Sequence, residues 1–337
     1  MNVQGTPASP VLVTGAAGFI GTALCRVLVD LGCEVRGLDL ERSDTSQLDE
    51  LGVSYFPADI TEPESLGPAL DGVRTVFHLA ALASDWGPRE LFMAINASGT
   101  ANVLEAAHKA GVERLVHMSS LAVHSFSGHV DSGEETPLEN HVNGYCSSKI
   151  EAEHLVREYQ AADRLQTTII RPGAIIHGPG DTTAFVHLAP YLEKGRMMLI
   201  DGGRHLTCYS HSENLVRGMA LAAAREEGAG QTFILTDDIK LTIHDYMSAI
   251  CRALDVPPRF RSIPRWLARP GGWVLEALYK LAGASRPPIA HRYRVGLVAD
   301  DIHFSCAKAK RLLGYRPEVS FSDSLRLTAE WYRRLRH

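Results

Sequence analysis

A short apolar run, Val11-Leu12-Val13, is followed at once by Thr14-Gly15-Ala16-Ala17-Gly18-Phe19-Ile20-Gly21 and then by a helical pattern reaching about Leu31. This stretch limits the fold more tightly than any other. The apolar run reads as a short buried strand. Glycines at 15, 18 and 21 permit a tight turn and let backbone N–H groups, those of Phe19 and Ile20 among them, approach a pyrophosphate at the positive end of the helix. The spacing G-x-x-G-x-x-G is one residue longer than the usual dinucleotide fingerprint, so it is the position between strand and helix that gives the glycines their meaning.

The same alternation continues. Residues 34–38 form a second strand with Asp39 at its carboxyl end. A carboxylate there accepts both ribose hydroxyls of NAD and repels the 2′-phosphate of NADP; NAD is therefore expected, with Arg42 nearby keeping NADP open. Residues 53–56 are a third strand, followed by Asp59-Ile60 where a side chain can meet the adenine amine. Residues 73–79 are a fourth, ending in His78-Leu79-Ala80-Ala81, whose small alanines let the backbone lie against a cofactor. A helix over 91–110 carries Asn96, and a strand over 114–118 delivers Ser119-Ser120. Strands and helices in this order predict an α/β protein with a Rossmann-type, doubly wound parallel sheet and a ligand site beyond the strand carboxyl ends, where Asp39, Asp59, Ala80 and Ser120 fall.

Tyr145-Cys146-Ser147-Ser148-Lys149 supplies the chemistry. On a helix, Tyr145 and Lys149 stand one turn apart on one face, and a lysine cation lowers the pKa of a phenol. The phenol then becomes a proton carrier near neutral pH, with the Ser120 hydroxyl free to hold a substrate oxygen.

At this point the chain resembles the extended short-chain dehydrogenase/reductase family over nearly its whole length. The resemblance rests on Thr14 to Gly21, Asp59-Ile60, His78 to Ala81, Asn96 to Asn102, Ser119-Ser120, Tyr145 to Lys149, Arg171-Pro172-Gly173 and Gly178-Pro179-Gly180-Asp181. It implies a catalytic set of Ser120, Tyr145 and Lys149, with Asn96 as a candidate fourth member. It further implies that Lys149 binds the nicotinamide ribose, that the main chain after Pro172 faces the carboxamide, and that helices 91–110 and 144–162 pair across a two-fold axis in a homodimer. Ser120 is chosen over Ser119 because its interval to Tyr145 matches the family. Within it, Glu135 to Asn140 and the late motif Asp301-Ile302-His303-Phe304-Ser305 with Leu313-Gly314-Tyr315 are similar to the 3β-hydroxysteroid dehydrogenase and sterol-4α-carboxylate 3-dehydrogenase branch. That branch implies an apolar small-molecule substrate. His177 departs from the tyrosine that many relatives carry before Gly178-Pro179, and is weighed as a pocket residue against a structural one.

The remaining expectations follow from what surrounds these motifs. The dinucleotide domain is assigned to residues 1–172, with a return at about 207–236, and a smaller α/β substrate domain to 173–337. Trp86, in the loop 84–88, is either a substrate wall or an aromatic packed under that loop. Residues 263–284 hold Trp266, Leu267, Trp273, Val274, Leu275, Leu278, Tyr279 and Leu281 with Arg265, Arg269 and Lys280 and a single acid, Glu276. Such a segment covers an apolar pocket, packs as an ordinary amphipathic helix, or touches a membrane surface, with Pro270-Gly271-Gly272 expected to break the helix. A net charge of -5 gives no reason to seek a nucleic acid. Six cysteines without C-x-x-C or zinc spacing read as reduced thiols of a cytoplasmic protein with no metal site. The start lacks the pattern of a signal peptide. A nucleotide-sugar epimerase, a ketone reductase on the same scaffold and a cofactor sensor without turnover are the rivals; Leu121-Ala122, where dehydratases of the family carry Asp-Glu, speaks against a dehydratase.

Overall fold

The computed structural model describes residues 5–336. In the first half, β1 (Val11–Thr14), β2 (Val35–Asp39), β3 (Ser54–Pro57), β4 (Thr75–His78) and β5 (Arg114–Met118) alternate with α1 (Phe19–Asp30), α2 (Ser46–Glu50), α3 (Gly67–Leu70), α4 (Arg89–Phe92) and α5 (Gly99–Lys109). A short strand β6 (His129–Ser132) precedes α6 (Gly144–Ala161) and β7 (Gln166–Pro172). The second half holds β8 (Ile175–His177), α7 (Phe185–Glu193), β9 (Met197–Ile200), β10 (Leu206–Thr207), β11 (Tyr209–His211), α8 (Ser212–Ala224) and β12 (Gln231–Leu235). It ends with β13 (Leu241–Thr242), α9 (Ile243–Leu254), β14 (Phe260–Ile263), α10 (Arg265–Leu281), α11 (Arg292–Ala299), β15 (Ile302–Phe304), α12 (Ala307–Leu313) and α13 (Phe321–Arg334).

Seven strands form one parallel sheet in the order β12-β7-β5-β4-β1-β2-β3. The order reverses about β1, which is the doubly wound arrangement, and it brings the carboxyl ends of β1, β2, β4 and β5 to one edge. A parallel sheet is covered on both faces, hence the continuous burial of β1 and β4. Leu24 and Leu28 of α1 meet Leu215 and Met219 of α8 on one face, and Leu104 of α5 meets Val156 of α6 on the other.

The second half is threaded through the first. β12 sits beside β7, and the chain re-enters the same core once more through Cys306, Ala309, Leu313 and Tyr315. Between these returns, α7, α9 and α13 enclose a separate core of Phe185, Tyr246, Ile250 and Leu325.

Two expectations about helices are corrected. The run over 91–110 is interrupted by a wide π-type turn over Met93–Ser98, centred on Asn96. Pro270-Gly271-Gly272 does not break a helix: α10 continues through it. Packing overrides propensity there, because Gly272 is buried against α11, where a Cβ would come within 3.1 Å of Val295. Among the described residues no helix is long and apolar enough to cross a membrane. All six cysteines are buried thiols.

Candidate active site

The glycine turn is shaped by close approach. Gly15 has φ +72°, and a Cβ on it would lie 2.8 Å from the backbone nitrogen of Ala80; a Cβ on Gly21 would overlap the Gly15 carbonyl. α1 starts after Gly18 with no side-chain cap and no acid in its first turn, so its leading N–H groups remain available to an anion. Asp39, the last residue of β2, lies on this turn: Oδ2 accepts from Ala17 N at 3.0 Å, and Oδ1 accepts from Leu40 N and Ser43 Oγ at 2.8 and 2.9 Å. Arg42 is exposed and forms no ion pair among the described residues. Asp59 folds back on Thr61, Ile60 packs against Gly99, and Ala80-Ala81 continue the edge beyond β4. Pro172 ends β7 opposite Leu235. An uncapped helix terminus and a ribose-side carboxylate fit a dinucleotide.

Ser119 and Ser120 follow β5 and part company. Ser119 Oγ donates to Glu153 Oε1 at 2.6 Å, and Glu153 is clasped by Arg171 at 2.8 and 2.7 Å, all three buried. Ser120 instead faces the Tyr145 phenol, whose pKa its hydrogen bond lowers, while its Oγ accepts from Ala122 N at 3.1 Å.

Lys149 is anchored at the end of β5. Its ammonium donates to the Met118 carbonyl at 2.9 Å, and burial pushes its own pKa down to about 8 against the pull of Glu153. Burial pushes the Tyr145 phenol up to about 12, with Ser120 as the one neighbour that lowers it. The one-turn spacing put both groups on the same face of α6; the carbonyl at the end of β5 then captured the cation.

Asn96 is corrected from a catalytic group to a positioning one. Its Oδ1 accepts from Leu82 N at 2.7 Å, and its Nδ2 donates to Leu82 O and to Ser148 Oγ at 3.2 and 2.9 Å, so both amide hydrogens are engaged within the protein and none is left to donate to a substrate. It belongs to a buried polar chain that the sequence did not disclose. Thr14 Oγ1 meets His78 Nδ1 at 2.8 Å, His78 Nε2 meets Thr100 Oγ1 at 2.9 Å, Thr100 donates to the Asn96 carbonyl at 2.6 Å, and Ser148 donates to the Tyr145 carbonyl at 2.9 Å. The chain runs from the glycine turn to the helix that carries Tyr145. His78 is held neutral, its pKa pushed down to about 3 by burial and by the Lys149 charge. The only signal available in the sequence was polar residues at strand and helix positions that the pattern buries.

Trp86 and His177 separate. Trp86 Nε1 donates to Ala284 O at 3.0 Å, fastening the loop 84–88 to the segment after α10, and the residue borders a cleft with Asp85, Arg89, Phe92 and Tyr293. His177 is corrected: it is buried, stacked on Tyr209, with Nε2 at 3.1 Å from Ser324 Oγ and Nδ1 at 3.1 Å from Tyr246 OH. Both ring nitrogens are engaged within the core, so it lines no pocket. Tyr293 of α11 is the residue sequence reasoning missed. Its ring stands edge-on to Tyr145 at 6.3 Å and to Phe126 at 5.4 Å, with Phe92 at 6.4 Å from Tyr145 on another side. Nothing local marks Tyr293, since only folding brings α11 over α6. Three of the cations near the cleft are paired, Lys280 and Arg292 with Glu276 and Arg294 with Asp85, while Arg89 is exposed and forms no ion pair among the described residues.

Residues 11–235 match the family described as the NAD dependent epimerase/dehydratase family. The chain is 30% identical to a 2-alkyl-3-oxoalkanoate reductase of Shewanella oneidensis, over 94% of this chain and 85% of that protein. It is 30% identical to the decarboxylating sterol-4-alpha-carboxylate 3-dehydrogenase of Mus musculus, over 96% and 91%. It is 32% identical to a 3 beta-hydroxysteroid dehydrogenase/Delta 5-->4-isomerase of Mycobacterium tuberculosis, over 96% and 90%. Among solved structures, a dTDP-glucose 4,6-dehydratase of Streptomyces venezuelae with NAD bound superposes with a TM-score of 0.76 at 26% identity, over 97% of each chain. With the family match over residues 11–235 and relatives at 30% identity or more along nearly the whole length, this chain belongs to the NAD-dependent epimerase/dehydratase family.

Proposed function

We propose that the protein is an NAD-dependent dehydrogenase that oxidises a secondary alcohol on a bulky apolar substrate, a 3β-hydroxysteroid or a sterol-4α-carboxylate in the first place. The observation that carries this reading is the aromatic wall around Tyr145, where Phe92 and Tyr293 crowd the phenol; of the nearby cations, Lys280, Arg292 and Arg294 are bound to Glu276 and Asp85, and Arg89 alone is unpaired among the described residues. A nucleotide sugar needs free cations for its diphosphate; an apolar ring system needs aromatic contact.

NAD, when bound, accepts the hydride. Tyr145, as the phenolate, takes the hydroxyl proton and becomes the phenol, Ser120 holds the substrate oxygen, and Lys149 keeps a positive charge beneath the site at the end of β5. Were the product a 3-ketone beside a 4-carboxylate, loss of carbon dioxide follows because the ketone accepts the electron pair.

A second reading, reduction of a 2-alkyl-3-oxo acid, is favoured by the reductase from Shewanella oneidensis. By its name that substrate is a ketone beta to a carboxylate, the same relation that the 3-position bears to a 4-carboxylate in a sterol. The test is NADH formation with a 3β-hydroxysteroid, a 4-carboxysterol, a β-hydroxy acid and a UDP-sugar, each repeated with NADP. Turnover of a steroid with NAD is expected. Turnover of the hydroxy acid alone selects the second reading, and an epimerised sugar without net NADH overturns both. We also propose a homodimer through α5 and α6, checked by light scattering on the purified protein.

A further inference from the structure

α10 is an amphipathic helix turned inside out. Its inner face is polar or small: Arg265 is bound to Asp300, Ala268 and Gly272 pack against α11, and Glu276 is held by Lys280 and Arg292. Its outer face carries Trp266, Leu267, Trp273, Val274, Leu278 and Leu281, which recur at the spacing of one helical stripe. Trp266 is 76% exposed, Trp273 62% and Leu281 88%. A surface helix of a soluble domain turns such a stripe inward; here eight of the fifteen exposed large hydrophobics among the described residues lie on this one helix.

The charge around the stripe selects what covers it. Residues 256–299 hold eight arginines and lysines and one acid, within a chain of net charge -5. That acid, Glu276, is 6% exposed and already paired, so no exposed carboxylate borders the stripe within this segment. Arg259, Arg261 and Arg286 are exposed and form no ion pair among the described residues. Tryptophans among leucines, flanked by free cations, match the boundary between acyl chains and anionic headgroups. A second copy of this chain would instead set these like charges against each other.

We propose that α10 docks on an anionic lipid bilayer, lying in the plane of the interface with Trp266, Trp273 and Leu281 below the headgroups. The inner side of α10 packs on α11, which places Tyr293 against Tyr145, so the docked helix is also the roof of the cleft. Exchange of an apolar substrate between bilayer and cleft rests on the function proposed above; docking itself does not.

Sedimentation with vesicles tests docking without substrate or turnover. The full chain is mixed with vesicles of 30% phosphatidylglycerol in phosphatidylcholine, and with pure phosphatidylcholine, and the tryptophan emission is followed. Binding to the anionic vesicles is expected, with a blue shift, weakened severalfold by raising salt from 0.05 to 0.5 M on the order expected for screening of surface charge. The double variant Trp266→Glu, Leu281→Glu is expected to lose at least about tenfold in partitioning while its thermal midpoint stays that of the parent, because both side chains are exposed. No binding by the parent, equal binding by the variant, or a parent whose association state falls on substitution without any vesicle binding would each overturn the proposal. A functional failure of the NADH panel leaves this result unaffected.

Discussion

Ser119 and Ser120 carry the same hydroxyl one residue apart and do different things. Successive residues of an extended chain point to opposite sides, so one hydroxyl enters the buried Arg171–Glu153 pair and the other faces the phenol. Tyr145 has its pKa pushed up to about 12, so without a bound cofactor it is a neutral phenol at pH 7. Alcohol oxidation needs the phenolate, and the phenolate fraction grows as pH rises toward that value; NADH formation should therefore climb from pH 7 until Lys149, with its pKa pushed down to about 8, gives up its charge, and the reverse reduction should fall. Tyr145→Phe is expected to keep NAD affinity while losing about 10²- to 10⁴-fold in turnover together with this pH dependence. Steady-state rates across pH and a fluorescence titration of NADH check both halves. Full activity in that variant would remove Tyr145 from the mechanism. The Y-x-x-x-K spacing made Tyr145 and Lys149 legible, since helix geometry alone puts them on one face. It could not disclose that the Met118 carbonyl holds the ammonium, because that contact spans a strand and a helix distant in sequence.

At the scale of elements, α6 is the component that couples chemistry to fold. Tyr145, Ser148, Lys149 and Glu153 recur along its buried side, so the phenol, the Asn96 contact, the cation and the anchor to β7 move as one rigid body. Glu153 and Arg171 are fully buried, and removing one partner leaves the other charge without compensation. Glu153→Ala is expected to cost about 3–5 kcal/mol of stability, read from denaturant unfolding, with Ser119→Ala costing far less. The glycine turn makes a second demand. Gly15→Ala forces a Cβ into positive φ and against Ala80, and should lower NAD affinity and cost about 1–3 kcal/mol; a melt and a binding isotherm in parallel would show it. Strands β1 and β4 were legible because a sheet covered on both faces demands short apolar runs. The π-type turn at Asn96 and the unbroken α10 were not, since each is imposed by a neighbour: Leu82 and Ser148 for the one, α11 for the other.

At the scale of the whole molecule, Asp237 sits where the chain leaves β12 and its carboxylate accepts from the His211 backbone N–H at 3.1 Å. Burial pushes its pKa up from 3.8 to about 7. Between those two values the unfolded chain has already released the proton that the folded chain still holds, so stability is complete below pH 4 and is lost as pH rises through 7. The loss runs at about 1.4 kcal/mol for each pH step of one across that window. Asp237→Asn should therefore melt higher than the parent at pH 8, with the gap narrowing as pH falls to 5. Equal pH dependence of the two midpoints would show that Asp237 ionises freely in the folded state.

The sequence by itself determined the doubly wound sheet and the tight glycine turn, from local periodicity and a steric demand for glycine, and set Tyr145 and Lys149 one helical turn apart; Ser120 was selected through the family resemblance. The tertiary structure decided what those residues touch. It returned residues 306–315 to the sheet core, buried His177 between Tyr246 and Ser324, engaged Asn96 with Leu82, and set Tyr293 over Tyr145. These are contacts between segments far apart in the chain, fixed by close packing and by the need of every buried polar group for a partner, and neither condition has a local signature.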